Sequence, residues 1–209
     1  MNTAELFSGT KSFSSVMTKH GHKTFTVDND ARLEPDLCID IFEVDNSLYN
    51  CDMLWASPPC EGFSVAVIGR NWNHDNTPKT ESARIGMRLL KKTIEIIEVS
   101  KPTWWFIENP RGKMRKMDFL QEFVKRQGGV QRTITYCQYG DSRMKPTDIW
   151  TNALWWKSKE PCKNGNSCHV SAPRGSQTGT QGIKGAKDRG RIPEQLFEEI
   201  LAHKELYSV

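Results

Sequence analysis

The sequence predicts an α/β fold with a mainly parallel sheet that ends in an antiparallel hairpin. Short apolar runs of strand length alternate with segments whose apolar residues recur at helical spacing. Polar residues capable of chemistry follow several of these runs, as they do where parallel strands end together at one edge of a sheet. Towards the end of the chain, two strand-like runs follow each other without a helix between them, which predicts the hairpin.

The predicted elements follow in chain order. Strands are expected at 3–7, 23–27, 37–39, 52–55, 103–107, 130–139 and 148–156. Helices are expected at 12–19, 81–99 and 118–127, with a last helix opened by Pro193 that places Leu196, Phe197, Ile200 and Leu201 on one face. The buried face of the second helix is predicted from Ile85, Leu89, Leu90, Ile94 and Ile97. Residues 64–80 lack periodicity and predict a long loop.

Length and charge suggest one domain with a small basic appendage. The 209 residues carry a net charge of +4, but residues 1–110 hold 11 Lys and Arg against 15 Asp and Glu, whereas residues 111–209 hold 18 against 10. This asymmetry favours a catalytic core joined to a polyanion-binding region, although an uneven surface would give the same counts. No stretch has the length and apolarity of a membrane span, so we expect an intracellular protein, cytoplasmic or associated with a nucleoid.

Residues 157–191 differ from the rest of the chain. They contain six Gly, four Ser and eight Lys and Arg against two acids, with almost no large apolar residues. Such a segment cannot bury a core of its own, so it is a linker, a loop or a surface that becomes ordered on a partner. We therefore divide the chain into a catalytic domain at 1–156, a basic recognition-like insert at 157–192 and a terminal helix at 193–209.

Three predicted strands end in residues suited to binding a nucleotide. Phe7, Ser8, Gly9 and Thr10 form a turn after the first strand, where a glycine lets the backbone approach a ligand. Asp28 and Asn29 end the second strand, where an acid accepts hydrogen bonds from ribose hydroxyls. Asp40 and Ile41 follow the third strand and offer a polar and an apolar contact to an adenine. Each acid alone is an ordinary loop residue, but their successive placement at strand ends favours a binding crevice.

Cys60 is the most specific signal. It follows Ser57, Pro58 and Pro59 after the fourth strand, in a stiff polar turn, whereas Cys38, Cys51 and Cys137 lie in or beside apolar runs, where a cysteine is usually a small buried hydrophobe. Glu108 and Asn109 follow the fifth strand, next to the large apolar side chains of residues 104–107. Burial there raises the pKa of a carboxyl and makes it a proton donor near neutral pH. A thiol and such a carboxyl at neighbouring strand ends form a catalytic pair.

With these motifs in this order, the chain resembles the DNA cytosine-5 methyltransferase family from residue 4 to about 155. Glu5–Gly9 resembles the first cofactor motif of the family, Pro59-Cys60 its Pro-Cys nucleophile motif, and Glu108-Asn109 the start of its Glu-Asn-Val motif. The resemblance implies the Rossmann-like class I methyltransferase fold, S-adenosylmethionine as cofactor and a cytosine flipped out of duplex DNA as substrate. It also implies cofactor contacts from the three strand-end groups above and from Pro59.

The chain departs from the family pattern in several places. Lys11 or Ser12 stands where the third glycine is expected, and Pro110 replaces the valine. Lys145 stands for the first arginine of the family's Gln-x-Arg-x-Arg motif and is included among the catalytic residues, whereas Thr147 replaces the second. The large target-recognition domain and the final cofactor-covering helix are missing. The result resembles compact members of phage or restriction–modification origin. Structured RNA as substrate, or an inactive nucleic-acid-binding relative, are the alternatives.

Two further features have a predicted role. The loop 64–80, with Arg70, Trp72 and His74, is the candidate lid that fills the gap left by a flipped base, against the alternative of a passive surface loop. In the basic segment, Cys162, Cys168 and His169 lie close together, and Cys137 is a candidate fourth ligand, yet the spacing is not that of a standard zinc finger. The sequence therefore predicts no metal, with zinc at these residues as the alternative, and it predicts DNA contact through Lys184, Lys187, Arg189 and Arg191.

Overall fold

The computed structural model describes residues 1–45, 50–170 and 186–207. Its strands are β1 (Asn2–Leu6), β2 (Lys23–Asp28), β3 (Leu37–Cys38), β4 (Met53–Ala56), β5 (Trp104–Pro110), β6 (Val130–Thr135) and β7 (Pro146–Thr151). They form one seven-stranded sheet in the order β3-β2-β1-β4-β5-β7-β6. The first five strands are parallel, and β7 runs antiparallel to both β5 and β6. The predicted fold class is confirmed.

Helices cover both faces of the sheet. They are α1 (Ser12–Lys19), α2 (Ile68–Asn71), α3 (Glu81–Ser100), α4 (Asp118–Arg126), α5 (Ala186–Gly190) and α6 (Glu194–Tyr207). One apolar core joins the sheet to α3 and α4, and the other joins it to α1 and α6. Because successive side chains of a strand point to opposite faces of the sheet, they pack into opposite cores. On β4, Leu54 lies in the first core and Trp55 in the second. Among the described helices, none is long and apolar enough to cross a membrane.

An aromatic group fixes the terminal helix to the sheet. The ring of Phe197 on α6 lies 4.8 Å from that of Trp55 and 5.5 Å from that of Phe13, both at edge-on angles. Such arrangements are favourable beyond the burial of the rings alone. The four residues predicted to share the buried face of the last helix are all buried, so this prediction is confirmed. The helix packs against α1.

The structure corrects several predicted boundaries. The stretch 64–80 is not a plain loop, because it holds a turn of 3-10 helix at Val65–Val67 and the short helix α2. The run 130–139 leaves the sheet after Thr135 and continues as a 3-10 turn over Tyr136–Tyr139. That turn forms because the chain must close on β7, and the Tyr136 amide donates to the carbonyl of Met144 at 2.9 Å.

Strand β5 runs three residues beyond its predicted end, so Glu108 and Asn109 lie within the sheet rather than after it. Beyond Ile107 the strand has lost β4 as a neighbour and pairs only with β7, where Glu108 lies opposite Ile149 and Pro110 opposite Thr147. A proline is tolerated there because its missing N–H faces the unpaired side of the strand. The catalytic candidates of this strand are therefore held by a ladder of backbone bonds.

Two side chains expected to be buried are exposed. Cys38 lies on β3, a two-residue edge strand, and is open to solvent. Ile85 is 43% exposed because the buried face of α3 is centred on Ala83, Leu90 and Ile97. The other four residues of the predicted face are borne out, because Leu90, Ile94 and Ile97 are buried and Leu89 packs against the core.

A buried carboxylate on β1 caps the first helix. Helix α1 begins after Lys11, whose side chain makes no capping bond. Instead, Oε1 of Glu5 accepts from the amide of Phe13 at 3.2 Å, and Oε2 accepts from the amide of Ser14 at 2.9 Å. These amides are among those that a helix leaves unpaired at its start. Burial, only partly offset by these bonds, raises the pKa of Glu5 to about 7.

We expect Glu5 to make the stability of the protein fall as the pH rises from about 4.5 to about 7. In that window the unfolded chain loses the Glu5 proton and the folded protein keeps it, so ionisation favours unfolding. The shift corresponds to a loss of up to about 3 kcal/mol across the window. Chemical denaturation at several pH values should show this extra slope in the wild type and not in Glu5→Gln. Parallel pH profiles would contradict the assignment.

Candidate functional site

The sheet register brings three strand ends to one level. Leu6 on β1 lies opposite Ala56 on β4, and Ala56 lies opposite Ile107 on β5. The next residue of each strand is therefore at the same edge of the sheet. The turn after β1, the Pro-Pro-Cys turn after β4 and Glu108 on β5 meet there, at the position where open α/β sheets bind their ligands.

The turn after β1 has an unusual backbone. Phe7 has φ of 56° and Gly9 has φ of 47°, so both lie in the left-handed region. The Ser8 amide donates to the carbonyl of Val27 at 3.0 Å, and the Gly9 amide donates to Oδ2 of Asp28 at 2.8 Å. These bonds fix the turn to the end of β2. The hydroxyl of Ser8 is buried and has no partner among the described residues.

The remaining cofactor candidates lie along the same edge, in differing environments. Oδ1 of Asp28 accepts from the amide of Asp30 at 3.0 Å, while Asn29 is exposed. Asp40 is exposed and accepts from the amide of Phe42 at 3.0 Å. The Ile41 side chain is buried in the core, so little of it faces the edge. Thr10 shares a 2.8 Å hydrogen bond with Ser12, next to the start of α1.

Cys60 is half-buried at the end of a braced turn. Asn109, fully buried on β5, donates from Nδ2 to the carbonyl of Pro58 at 2.8 Å. This bond fixes the position of the turn relative to β5. Pro59, the residue before Cys60, is exposed. Pro59 also lines a cleft of about 240 Å³ towards the start of α3, with Gly62, Gly86 and Leu89. Asn109 is thus a positioning residue for Cys60.

Glu108 is buried and held by hydroxyl groups. The Tyr136 hydroxyl donates to Oε1 at 2.9 Å, and the Ser57 hydroxyl also bonds to this carboxyl. Ser57 is itself fixed by the indole N–H of Trp55 at 2.8 Å. Burial raises the pKa of Glu108, and its effect exceeds the opposing influence of the Lys145 cation and the two hydroxyls. Burial therefore favours the protonated form of this carboxyl.

Lys145 places a cation beside both Cys60 and Glu108. Its side chain is buried, and Nζ donates to the carbonyl of Arg189 at 3.1 Å. Burial lowers the pKa of Lys145, and the Glu108 charge opposes that change. For Cys60, burial raises the pKa of the thiol and Glu108 raises it further, whereas Lys145 lowers it. Lys145 also has φ of 23°, a strained backbone angle of the kind found at functional sites.

Arg143 forms a clamp that the sequence did not predict. Its buried guanidinium pairs with Asp141 and donates to the carbonyls of Asp188 at 3.2 Å, Arg189 at 3.1 Å and Arg191 at 3.0 Å. Together with Lys145, it fixes residues 188–191 to the wall of the site. No local pattern announces these contacts, because they join parts of the chain about 45 residues apart. Ser57 and Tyr136 were missed for the same reason.

The structure corrects the predicted lid. Trp72 is 3% exposed, its ring stacks on Phe63, and its indole N–H donates to the carbonyl of Gly62 at 2.7 Å. A side chain fixed in this way is part of the core and cannot fill the gap left by a flipped base. Arg70 and His74 remain exposed, so only they keep the predicted role.

The basic segment is described in part. Arg189 and Arg191 have exposed side chains, although their carbonyls belong to the clamp. Lys184 and the side chain of Lys187 lie outside the described residues. The three metal-ligand candidates Cys162, Cys168 and His169 lie together with Cys137.

Comparison with known proteins gives matches over most of the chain. A family profile described as C-5 cytosine-specific DNA methylase matches residues 1–126. A protein of Frog virus 3 (isolate Goorha) named "Probable DNA (cytosine-5)-methyltransferase" is 29% identical, over 96% of this chain and 99% of its own length. Two solved structures share the fold. The methyltransferase EhMeth of Entamoeba histolytica has a TM-score of 0.54, 12% identity and coverage of 77% of this chain and 55% of its own. The Dnmt2 methyltransferase of S. pombe has a TM-score of 0.52 and 13% identity, and the match covers 77% of this chain and 53% of its own. The chain thus spans about half the length of these structures.

We expect removal of the Lys145 charge to move the ionisation of Cys60 to higher pH. The cation favours the thiolate, so in Lys145→Met the pH midpoint for alkylation of Cys60 should rise above that of the wild type. The folded protein is treated with iodoacetamide at each pH and then digested, and mass spectrometry of the peptides measures the alkylation of each cysteine separately. Cys51, whose pKa is raised to about 11 by burial and Asp52, serves as internal control. Lys145→Arg retains the charge and should retain the midpoint. Equal midpoints in Lys145→Met and the wild type would refute the interaction.

Proposed function

Because the chain belongs to the C-5 cytosine-specific DNA methylase family, we propose that it transfers a methyl group from S-adenosylmethionine to carbon 5 of a cytosine in DNA. The observation that carries the proposal is the meeting of Cys60, buried Glu108 and Lys145 at the ends of neighbouring strands. The viral relative, matched along nearly its whole length, supports DNA as the substrate.

The residues at the sheet edge fit S-adenosylmethionine. The unpartnered, buried hydroxyl of Ser8 and the left-handed turn at Phe7 and Gly9 offer a polar atom and close backbone approach. Asp28 and Asp40 keep free lone pairs, since a carboxylate accepts about four hydrogen bonds and each makes fewer. We assign ribose binding to Asp28 and adenine contacts to Asp40 and Pro59, since the Ile41 side chain is buried in the core. When bound, the cofactor supplies an electrophilic methyl group on a sulfonium.

Cys60 makes carbon 5 of cytosine reactive. Carbon 5 is a weak nucleophile, so the thiolate first forms a covalent bond to carbon 6 and shifts electron density to carbon 5. After carbon 5 has gained the methyl group, it gives its proton to a water molecule, the C5–H electron pair re-forms the C5–C6 double bond, and the thiolate leaves. The rigid turn held by Asn109 keeps the sulfur at one height throughout. The thiolate is regenerated, which makes Cys60 a true catalyst.

Glu108 binds the ring and offsets its charge. As a protonated carboxyl it donates to N3 and accepts from the exocyclic amine of cytosine, and the N3 bond strengthens as the thiolate adds. The buried position raises the pKa of Glu108 and so favours this protonated form. Tyr136 and Ser57 hold the carboxyl in orientation. Lys145 stabilises the thiolate before attack and after expulsion.

The target base must leave the helix to reach this site. Flipping a base costs about a few kcal/mol, which contacts to the DNA must offset. We assign the outer contacts to the basic segment 157–191, where the exposed Arg189 and Arg191 lie beside the clamp formed by Arg143 and Lys145. Phosphate contacts of this kind bind without reading sequence.

The proposed chemistry predicts a trapped covalent complex. Duplex DNA that carries 5-fluorocytosine should form a denaturation-resistant adduct with the protein when S-adenosylmethionine is present, because fluorine cannot leave as a proton does. Gel electrophoresis after denaturation detects the adduct, and peptide mass spectrometry locates it. Cys60→Ala should form none.

Cys51→Ala is the matched control, because Cys51 lies before the start of β4, at the end of the strands away from Cys60. It should form the adduct at the wild-type level. An adduct that persists in Cys60→Ala would overturn the nucleophile assignment. A parallel reaction with fluorinated RNA tests the substrate class. An adduct with RNA alone would replace DNA by RNA and leave the role of Cys60 intact.

DNA binding through the basic segment should depend on salt. Each phosphate contact contributes about 0.9 to the slope of log affinity against log salt on duplex DNA. The double variant Arg189→Gln/Arg191→Gln should therefore bind more weakly and show a flatter slope, with unchanged affinity for S-adenosylmethionine. The control Lys23→Gln/Lys101→Gln removes two exposed charges at the opposite edge of the sheet. Titrations at several salt concentrations that gave superimposable slopes for all three proteins would exclude these contacts.

A further inference from the structure

Four potential metal ligands lie together beside the sheet, away from the proposed catalytic site. The sulfur atoms of Cys137, Cys162 and Cys168 and a ring nitrogen of His169 all lie within 4.8 Å of one another. The sulfurs of Cys162 and Cys168 are 3.2 Å apart, and Nδ1 of His169 is 3.5 Å from the first and 3.7 Å from the second. Cys137 and Cys162 are buried.

We propose that Cys137, Cys162, Cys168 and His169 bind one structural zinc ion. Zinc bonds of about 2.3 Å to sulfur and about 2.0 Å to nitrogen place tetrahedral ligand atoms about 3.5–3.8 Å apart. The two nitrogen–sulfur distances, 3.5 and 3.7 Å, agree with these values. The sulfur–sulfur distance of 3.2 Å is shorter, and no two of the four ligand atoms are more than 4.8 Å apart. Three thiolates and one imidazole form a complete set of four soft ligands, which favours zinc in a closed, structural site over a hard cation or an open catalytic site.

The surroundings of the cluster support metal binding. Nε2 of Gln138 donates to the sulfur of Cys168 at 3.6 Å, and such N–H donors commonly stabilise metal-bound thiolates. A zinc ion with three thiolates carries one net negative charge. Lys159 and Lys163 add positive charge to the same segment, and Nζ of Lys159 donates to the carbonyl of Gln138, the residue after Cys137, at 3.0 Å.

The zinc ion would supply the cross-link that the segment 157–170 otherwise lacks. Only Cys162 and Trp156 just before it are buried in this part of the chain, and Val170 is 67% exposed. Apart from these two buried residues, single hydrogen bonds hold the segment. The Cys162 amide donates to the hydroxyl of Thr135 at 2.8 Å, the Lys159 amide donates to the hydroxyl of Tyr139 at 3.0 Å, and the Val170 amide donates to the carbonyl of Ser142 at 2.9 Å. A metal that joins the four ligands fixes the segment with no apolar core.

The site would also connect the basic segment to the catalytic wall. Cys137 is the residue after Tyr136, which holds Glu108 through its hydroxyl. Both lie in the same 3-10 turn. A zinc ion bound through Cys137 would therefore fix the turn that carries Tyr136. The proposed methyl transfer is not needed for this inference, because the site is defined by its ligands alone.

Metal analysis of the full-length, tag-free protein tests the proposal. Purified without chelator from zinc-containing medium, the wild type should contain about one zinc per chain by mass spectrometry of the metal. Cys168→Ser and His169→Ala should each retain less than about a tenth of that amount. Both positions are at the surface or partly exposed, so these variants keep the core. Cys38→Ser, an exposed cysteine outside the cluster, should retain the full content.

Stability and thiol measurements complete the test. A strong chelator should lower the melting temperature of the wild type and of Cys38→Ser and leave that of Cys168→Ser unchanged. All six cysteines should react as free thiols in the denatured, unreduced wild type. Two missing thiols would show a disulfide in place of the metal, and zinc-free wild type or full zinc in Cys168→Ser would equally overturn the proposal.

Discussion

The burial of one carboxyl group, that of Glu108, is the constraint on which the rest of the site depends. A buried carboxyl is costly unless it holds a proton or finds partners, and this one is surrounded by Tyr136, Ser57 and Lys145. Each partner belongs to a different part of the chain. Strand β5 therefore carries its residue into the sheet beyond the point where β4 ends, and β7 is needed to pair it there. The terminal hairpin is thus a wall of the candidate site as well as the edge of the sheet.

The fold was largely predictable because its information is local. Alternation and helical spacing located every strand and the long helices, since a parallel sheet with two covered faces needs apolar runs and amphipathic helices in turn. Boundaries were less predictable. The extension of β5 to Pro110 depends on pairing with β7, and the end of β6 depends on how Tyr136 bonds to Met144. Neither partner is near in sequence.

The candidate site divides in the same way. Cys60, Glu108 and Asn109 lie in short motifs at strand ends, where the sequence itself points to chemistry. The absence of periodicity around Trp72 predicts a lid. In the structure its ring stacks on Phe63 and its indole N–H donates to the carbonyl of Gly62, because burying a large apolar ring is favourable even within an irregular segment. The clamp of Arg143 carried no signal, since the partners that it holds besides Asp141 are backbone carbonyls far along the chain.

That use of backbone carbonyls has a consequence for how the protein can evolve. Arg143 and Lys145 recognise the main chain of 188–191, and every amino acid presents the same carbonyl group. The side chains of Arg189 and Arg191 point to solvent and take no part in the clamp. Substitutions at these positions therefore leave the cation beside Cys60 in place. The exposed surface of residues 188–191 is therefore free to change its charge and shape, while the contact between Lys145 and the main chain stays the same.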